Sequence, residues 1–289
     1  PPPADPGRQL AATGTRQERV TIVIRAYNEE VAIEGVVTQP ARHYPECEIL
    51  VVDDGSQDKT GEIAGALPCR TVRHEVNRGY GATWKTGCRE AAGDIIMFVD
   101  GDGQFDDDDV RRAIDTLVES KADMVSGARQ RASHTPILRR PGKFLLAHLA
   151  AILVGQKIPD LNCGLRAVRR DMLIRYLHLL PDGFSASTTS LLLFLKRRYK
   201  VVFFPIVTKK RLGKSSVKAL RDGFGTIMLM VSLIALFNPL RIFLPVSALL
   251  FVTSFVYSAY EAFAKGLGVP VLGAVLFIGG MLSFLMGVM

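Results

Sequence analysis

One stretch of this chain restricts its fold more than any other: Asp94-Ile95-Ile96-Met97-Phe98-Val99-Asp100-Gly101-Asp102-Gly103-Gln104. The apolar run Ile95 to Val99 predicts a buried strand, and it breaks off in Asp-Gly-Asp. A glycine between two aspartates lets the backbone turn sharply and brings both carboxylates to one place. In an open α/β sheet that place is the carboxyl edge of the strands, where ligands bind. Two hard carboxylate groups and the amide oxygen of Gln104 suit Mg2+ or Mn2+ that also holds a diphosphate. Because Asp106 to Asp109 continue the acidic run, the stretch taken alone also reads as a solvated acidic loop.

The pattern recurs upstream. Val20 to Ile24 predicts a first strand, followed by Arg25-Ala26-Tyr27-Asn28-Glu29-Glu30, with Asn28 placed to cap a helix that Pro40 stops. Glu48 to Val52 predicts a second strand ending in Asp53-Asp54-Gly55-Ser56, and a third fits Arg70 to His74. Asn77-Arg78-Gly79-Tyr80-Gly81 opens a helix through Ala92 whose free amides can approach a phosphate. Strand–helix alternation with acidic loops after successive strands predicts a mostly parallel, three-layer α/β sheet. A dinucleotide-binding arrangement is disfavoured: no G-x-G-x-x-G follows the first strand, and Tyr-Asn-Glu-Glu would repel a pyrophosphate there.

In order along the chain stand Ala26-Tyr27-Asn28-Glu29-Glu30, Val52-Asp53-Asp54-Gly55-Ser56, Asn77-x-Gly79, Gly93-Asp94 and Asp100-Gly101-Asp102-Gly103-Gln104. Ser126-Gly127-Ala128-Arg129, Asn162-Cys163-Gly164-Leu165-Arg166-Ala167 and Arg211-x-Gly213-Lys214-Ser215 follow. Together they resemble the family 2 glycosyltransferases of the GT-A fold, and within them the polyprenyl-phosphate glycosyltransferases, the class of dolichyl-phosphate mannose synthase. The resemblance spans about Arg19 to Arg241 and implies a Rossmann-like α/β/α catalytic domain over 18–212. It implies that Ala26, Tyr27, Glu29 and Gly101 line a nucleotide pocket, with Asp53 or Asp54 reading the base. Asp100 would lie near the donor ribose and the metal, while Asp102 and Gln104 hold Mg2+ or Mn2+ on the diphosphate. Arg129 and Arg139 or Arg140 would receive the acceptor phosphate, helped by Arg211 and Lys214; Asp100, Asp102, Arg129 and Arg211 form the catalytic set. Two positions depart from the family pattern: Arg25 stands where proline is usual, and Ser216 where a lysine is, with Lys214 or Lys218 as its substitute.

The rest of the chain is basic and then apolar. Net charge is +8, so an anionic partner is expected. Residues 1–17, rich in Pro, Gly, Ala and Thr, read as a disordered tail. The four cysteines form no C-x-x-C pair and fit a reducing cytosolic setting, and none of His43, His74, His134, His148 and His178 has metal-ligand spacing. Residues 129–143 read as a mobile basic loop at the catalytic edge or simply a solvated one, and Phe144 to Val154 as an apolar helix too short to span a bilayer. Lys196 to Arg221 carries no Asp or Glu and precedes an apolar end, which marks it as juxtamembrane, drawn to an anionic leaflet, rather than a nucleic-acid site. Residues 213–240 are expected to form an amphipathic interfacial helix, and 241–289 two transmembrane helices, with three spans as the alternative. Positive charge before the first span puts the catalytic domain on the cytoplasmic face. The chain stops inside an apolar run at Met289, so more chain is expected beyond it.

The expected reaction is transfer of a hexose from a nucleotide-sugar to a polyprenyl phosphate at the membrane, with inversion; homo-oligomerisation is left open. A processive polysaccharide synthase is disfavoured because Gln-x-x-Arg-Trp is absent and the only tryptophan is Trp84. A membrane-anchored nucleotide-sugar-binding protein without catalysis, or a synthase acting on another glycan, remain the alternatives.

Overall fold

The run Ile95 to Val99 is apolar without alternation because the strand it forms is covered on both faces. It lies at the centre of a seven-stranded sheet in the structure, a computed structural model that describes residues 18–130, 150–151, 154–212, 228, 239–266 and 270–288. The strands are β1 (Val20–Ala26), β2 (Glu48–Asp53), β3 (Arg70–Arg73), β4 (Ile95–Asp100), β5 (Met124–Arg129), β6 (Arg166–Arg169) and β7 (Val201–Ile206), in the order 3-2-1-4-6-5-7. Every strand but β6 points one way; β6 runs against both its neighbours, β4 and β5. The expected GT-A-type mixed α/β sheet therefore forms, with all four expected strands in place.

The helices are α1 (Ile33–His43), α2 (Thr60–Gly65), α3 (Tyr80–Glu90), α4 (Asp107–Glu119), α5 (Arg170–Ile174) and α6 (Ala186–Lys196). Ile95, Met97 and Val99 face a core closed by α1, α2 and α4, whereas Ile96 and Phe98 face one closed by α3, α5 and α6. Each large apolar side chain fully buried in this way contributes about 1.5–3 kcal/mol. In the second core the Trp84 ring stacks on Phe98 at 3.9 Å between centroids.

Two expectations are corrected here. Helix α1 begins at Ile33 with no side-chain cap and runs through Pro40 to His43. Asn28 does not cap it: Asn28 sits in the left-handed region (φ 54°), accepts the Gln57 N–H on its side chain and donates its own N–H to Ser56 Oγ. Pro40 is buried on the same face as Ile33 and Val37, and that packing carries the helix past it. The N-terminal amides of α3, expected to be free for a phosphate, are taken by the protein. Arg78 N–H and Gly79 N–H donate to the buried Asp54 carboxylate, and Gly81 N–H and Ala82 N–H to the Asp182 carbonyl.

After the sheet come α7 (Leu240–Lys265) and α8 (Val271–Val288), packed as a hairpin. Both are long and apolar enough to cross a membrane, over Phe243–Ala264 and Val271–Val288. Buried positions recur every seven residues on each, Ser247, Ser254 and Glu261 against Gly273, Gly280 and Gly287. The small residues bring the backbones together, and Ser254 Oγ donates to Gly273 O at 2.7 Å. Outward side chains such as Phe255, Phe263 and Val271 are exposed, an apolar surface that lipid would cover. The expected tail over 1–17, the basic loop with Arg139 and Arg140, His134, His148 and most of 213–240 with Lys214, Ser216 and Lys218 lie outside the described residues.

Two glycines test this packing in opposite directions. A Cβ on Gly87 of α3 would come within 2.4 Å of Val23 Cγ1 in the core, whereas one on Gly35 of α1 meets nothing within 4 Å. Gly87→Ala is expected to destabilise the chain by about 1–3 kcal/mol, overpacking outweighing the helix gain. Gly35→Ala is expected to stabilise it by up to about 1 kcal/mol. Thermal unfolding of the full chain in detergent checks both.

Candidate active site

Strand register assembles the site. Parallel pairing sets Arg25 beside Asp100 and Ala26 beside Asp53, so the ends of β1, β2 and β4 meet at one edge. The Gly101 amide donates to Arg25 O and the Asp54 amide to Ala26 O, which fixes where the loops leave the sheet. Asp102 is buried, its Oδ1 accepting the Gln104 N–H at 3.1 Å around Gly103, whose φ of 70° suits glycine. Ala26, Glu29 and Gly101 are buried and Tyr27 is half-buried beside them. The loop after β1 is locked to the loop after β2: Glu29 N–H donates to Thr60 Oγ1, and Lys59 N–H to Glu30 Oε2.

The two aspartates expected near the base are held by the protein. Asp53 is fully buried, accepting the Ser56 N–H and pairing with Arg73 Nε at 3.2 Å. Asp54 pairs with His74 Nδ1 at 2.6 Å and takes the Arg78 and Gly79 amides, so it organises the loop before α3.

A segment following β7 lies along the acidic turn. Lys209 N–H donates to Gln104 O, Gln104 Nε2 to Lys209 O, and Leu212 N–H to Asp102 O. From this strap Arg211 reaches inward, pairing with Glu29 through Nη2 and with Asp102 Oδ2 through Nη1 at 3.5 Å. On the other side Arg25, almost fully buried, pairs with Asp100 Oδ1 through Nη2. Burial works against the Arg25 charge, but Asp100 and the neighbouring Tyr80 hold its pKa above the ordinary value.

These arginines do not fully answer the carboxylates. Burial pushes Glu29 up to about 8 despite the pull of Arg211, with Asp102 and Asp100 adding repulsion. Burial, with repulsion from Asp100, likewise lifts Asp102 to about 6 against the pull of Arg211. Such an edge attracts a further cation. Among the described residues no group of three or more His, Cys, Asp or Glu could hold a metal by itself. The oxygen set available is Asp100, Asp102 and Gln104, which fits Mg2+ or Mn2+ when substrate phosphates complete the shell.

Arg129, expected to meet an acceptor phosphate, ends β5 and is fastened to Asp160: Nε to Oδ2 at 2.7 Å and Nη2 to Oδ1 at 2.9 Å. That bidentate pair raises its pKa despite burial and leaves Nη1 outside it. Asp160 carried no sequence signal of its own, and neither did the pairing of Arg25 with Asp100. A cavity of about 490 Å³ lies elsewhere, between the end of α1 and the start of β2 near Tyr44, Cys47 and Ile49, and brings no such groups together.

The model of Glycosyl transferase family 2 matches residues 21–177, more than half of the chain. The chain belongs to that family. Its apolar end matches a second model, the GtrB C-terminal hairpin, over residues 238–289. Among its relatives is the dolichyl-phosphate hexose transferase of Haloferax volcanii, 29% identical over 71% of this chain and 89% of that one. Another is the UDP-N-acetylglucosamine–dolichyl-phosphate N-acetylglucosaminyltransferase of Methanococcus voltae, 27% identical over 65% and 85%. A third, the polyprenol monophosphomannose synthase of Mycolicibacterium smegmatis, is 29% identical over 56% and 66%. Glucosyl-3-phosphoglycerate synthase from Mycobacterium tuberculosis, solved with Mn2+, UDP and glucosyl-3-phosphoglycerate, shares the fold at TM-score 0.60 and 22% identity, over 75% of this chain and 80% of that one. The family 2 chain thus has relatives that transfer sugars to polyprenyl phosphates and an apolar hairpin fit for a membrane.

The raised carboxyls set a pH dependence. Glu29 and Asp102 bind protons more tightly folded than unfolded, where a carboxyl titrates near about 4. Their contribution to stability is therefore fully present below about pH 4 and is lost as pH rises through 6 and then 8. The Tm of the ligand-free chain is expected to fall between about pH 5 and pH 8.5, and Glu29→Gln to flatten the upper part of that slope.

Proposed function

We propose that the chain is a membrane-bound inverting hexosyltransferase that moves a sugar from a nucleotide-sugar, of the GDP-mannose or UDP-glucose type, to a dolichyl or undecaprenyl phosphate. One observation carries the reading: the strap after β7, which in sequence precedes the apolar hairpin, lays Arg211 on Glu29 and Asp102, so a cation of the basic stretch meets the acidic edge. The named activities of the relatives support the same class.

Ala26, Tyr27, Glu29 and Gly101 line the nucleotide, with Asp53 and Asp54 behind the loop that meets the base. Asp100 faces the ribose and diphosphate, and Asp102 with Gln104 holds Mg2+ or Mn2+. That ion, when bound, supplies Lewis-acid stabilisation of the negative charge growing on the departing nucleoside diphosphate. The acceptor is already largely ionised near pH 7, because the second pKa of a phosphate monoester is about 6, so no strong general base is required. Attack from the face opposite the leaving group inverts the anomeric centre. Arg211, the Nη1 of Arg129 that its Asp160 pair does not use, Arg139, Arg140 and Lys214 place the phosphate, a task suited to guanidinium forks. The basic stretch Lys196 to Arg221 before the hairpin keeps the catalytic domain on the cytoplasmic side.

Full-length protein in detergent is incubated with GDP-mannose, UDP-glucose or UDP-N-acetylglucosamine, Mn2+ or Mg2+, and a polyprenyl phosphate. Label from one donor is expected in the lipid phase, and Asp102→Ala is expected to lower the rate at least about 100-fold without loss of folded protein. Label released only as free sugar would overturn the acceptor, and unchanged turnover in Asp102→Ala would overturn the site.

A further inference from the structure

The ion pair beneath Asp100 is asymmetric. The Arg25 side chain is 3% exposed, whereas the Asp100 side chain is 26% exposed. The guanidinium lies over the Tyr80 ring at 4.2 Å, near Trp84 at 5.1 Å and Phe98 at 5.9 Å, a cage that leaves it little freedom. Its Nη2 donates to Asp100 Oδ1 and to Gly164 O, the latter at 3.2 Å. The cation is shut in and the anion is partly open at the sheet edge.

Gly164 completes the arrangement from a distant part of the chain. A Cβ there would lie 2.0 Å from Asp100 Oδ2 and 3.2 Å from Arg25 Nη2, so only glycine lets the carboxylate take this orientation. Burying an ion pair is a poor way to gain stability, since desolvation offsets most of the attraction, and an apolar side chain in the cage serves packing equally well. What the pair does achieve is a carboxylate held in one orientation, Oδ1 on the guanidinium and Oδ2 against Gly164, while the side chain stays partly exposed at the sheet edge.

We propose that Arg25 is a positioning residue for the donor site: with Gly164 it fixes the orientation in which the partly exposed Asp100 carboxylate meets the nucleoside diphosphate and its cation. The inference rests on the reading of this edge as a nucleotide-sugar site.

A double-mutant cycle tests it. Binding of UDP and GDP with Mn2+ to the full-length chain in detergent is measured by calorimetry for wild type, Arg25→Met, Asp100→Asn and the double variant, with thermal unfolding to score folded protein. Arg25→Met is expected to weaken binding about tenfold in wild type and by less than about twofold in the Asp100→Asn background, because coupled residues are not additive. Arg25→Lys keeps the charge but lacks the fork, so a loss of about threefold is expected, again absent when Asp100 is Asn. Gly164→Ala, which displaces Oδ2 and leaves the cage intact, is expected to reproduce the loss of Arg25→Met. Equal losses in both backgrounds, or full affinity in Arg25→Met and Arg25→Lys, overturn the proposal. Should Arg25→Met not fold, Arg25→Lys and Gly164→Ala decide it. Failure of the wild type to bind either nucleotide would instead overturn the assignment of the edge itself.

Discussion

Parallel register forces negative charge together at one edge of this sheet, and the rest of the site answers that constraint. Ala26 pairs with Asp53 and Arg25 with Asp100, so the loops after three neighbouring strands deliver their carboxylates to one place. Each is answered differently. Asp53 and Asp54 find their partners locally, in Arg73, His74 and backbone amides. Asp100 receives a caged arginine from its neighbouring strand. Glu29 and Asp102 share a single guanidinium that arrives from far along the chain, and their raised pKa values record that one cation is not enough for two buried acids. The unbalanced part of the edge is thus the part proposed to meet a divalent ion and a diphosphate, whose recognition needs both signs of charge within one small volume.

The cation that Glu29 and Asp102 share belongs to the strap between β7 and the hairpin. Two backbone hydrogen bonds and one from the Gln104 side chain hold that strap against residues 102–104, and the Lys209 ammonium adds a pair with Asp106 at 2.7 Å. Surface pairs of this kind contribute little, at most about 1 kcal/mol each, so the inward reach of Arg211 is the main electrostatic tie. In sequence the strap stands between two structures with unlike surfaces. Before it in the chain stands a sheet whose faces are covered by protein helices, and after it in sequence come helices whose outward side chains are apolar and exposed. A carboxylate-bearing edge followed in one chain by a lipid-compatible hairpin is what the proposed reaction between a soluble donor and a lipid acceptor calls for.

Strands β1, β2 and β4 were legible because buried parallel strands read as continuous apolar runs, and β2 and β4 each end in an aspartate. Strand β6 was not. It is four residues, Arg166 to Arg169, with arginine at both ends, and no hydrophobic pattern marks it. Its Arg166 is nevertheless fully buried, donating to Ser187 O and to Ser190 Oγ, so a charged residue acts there as core. The same limit applies to Arg25. Sequence reasoning could see that an arginine stood where proline is usual, but not that Tyr80, Trp84 and Phe98, spread over α3 and β4, close round it. Motifs report residues that touch a ligand through short, contiguous patterns. A residue that acts on such a motif from underneath is defined by contacts between segments 75 or 139 positions apart, as Arg25 is to Asp100 and Gly164, and only the folded chain brings those together.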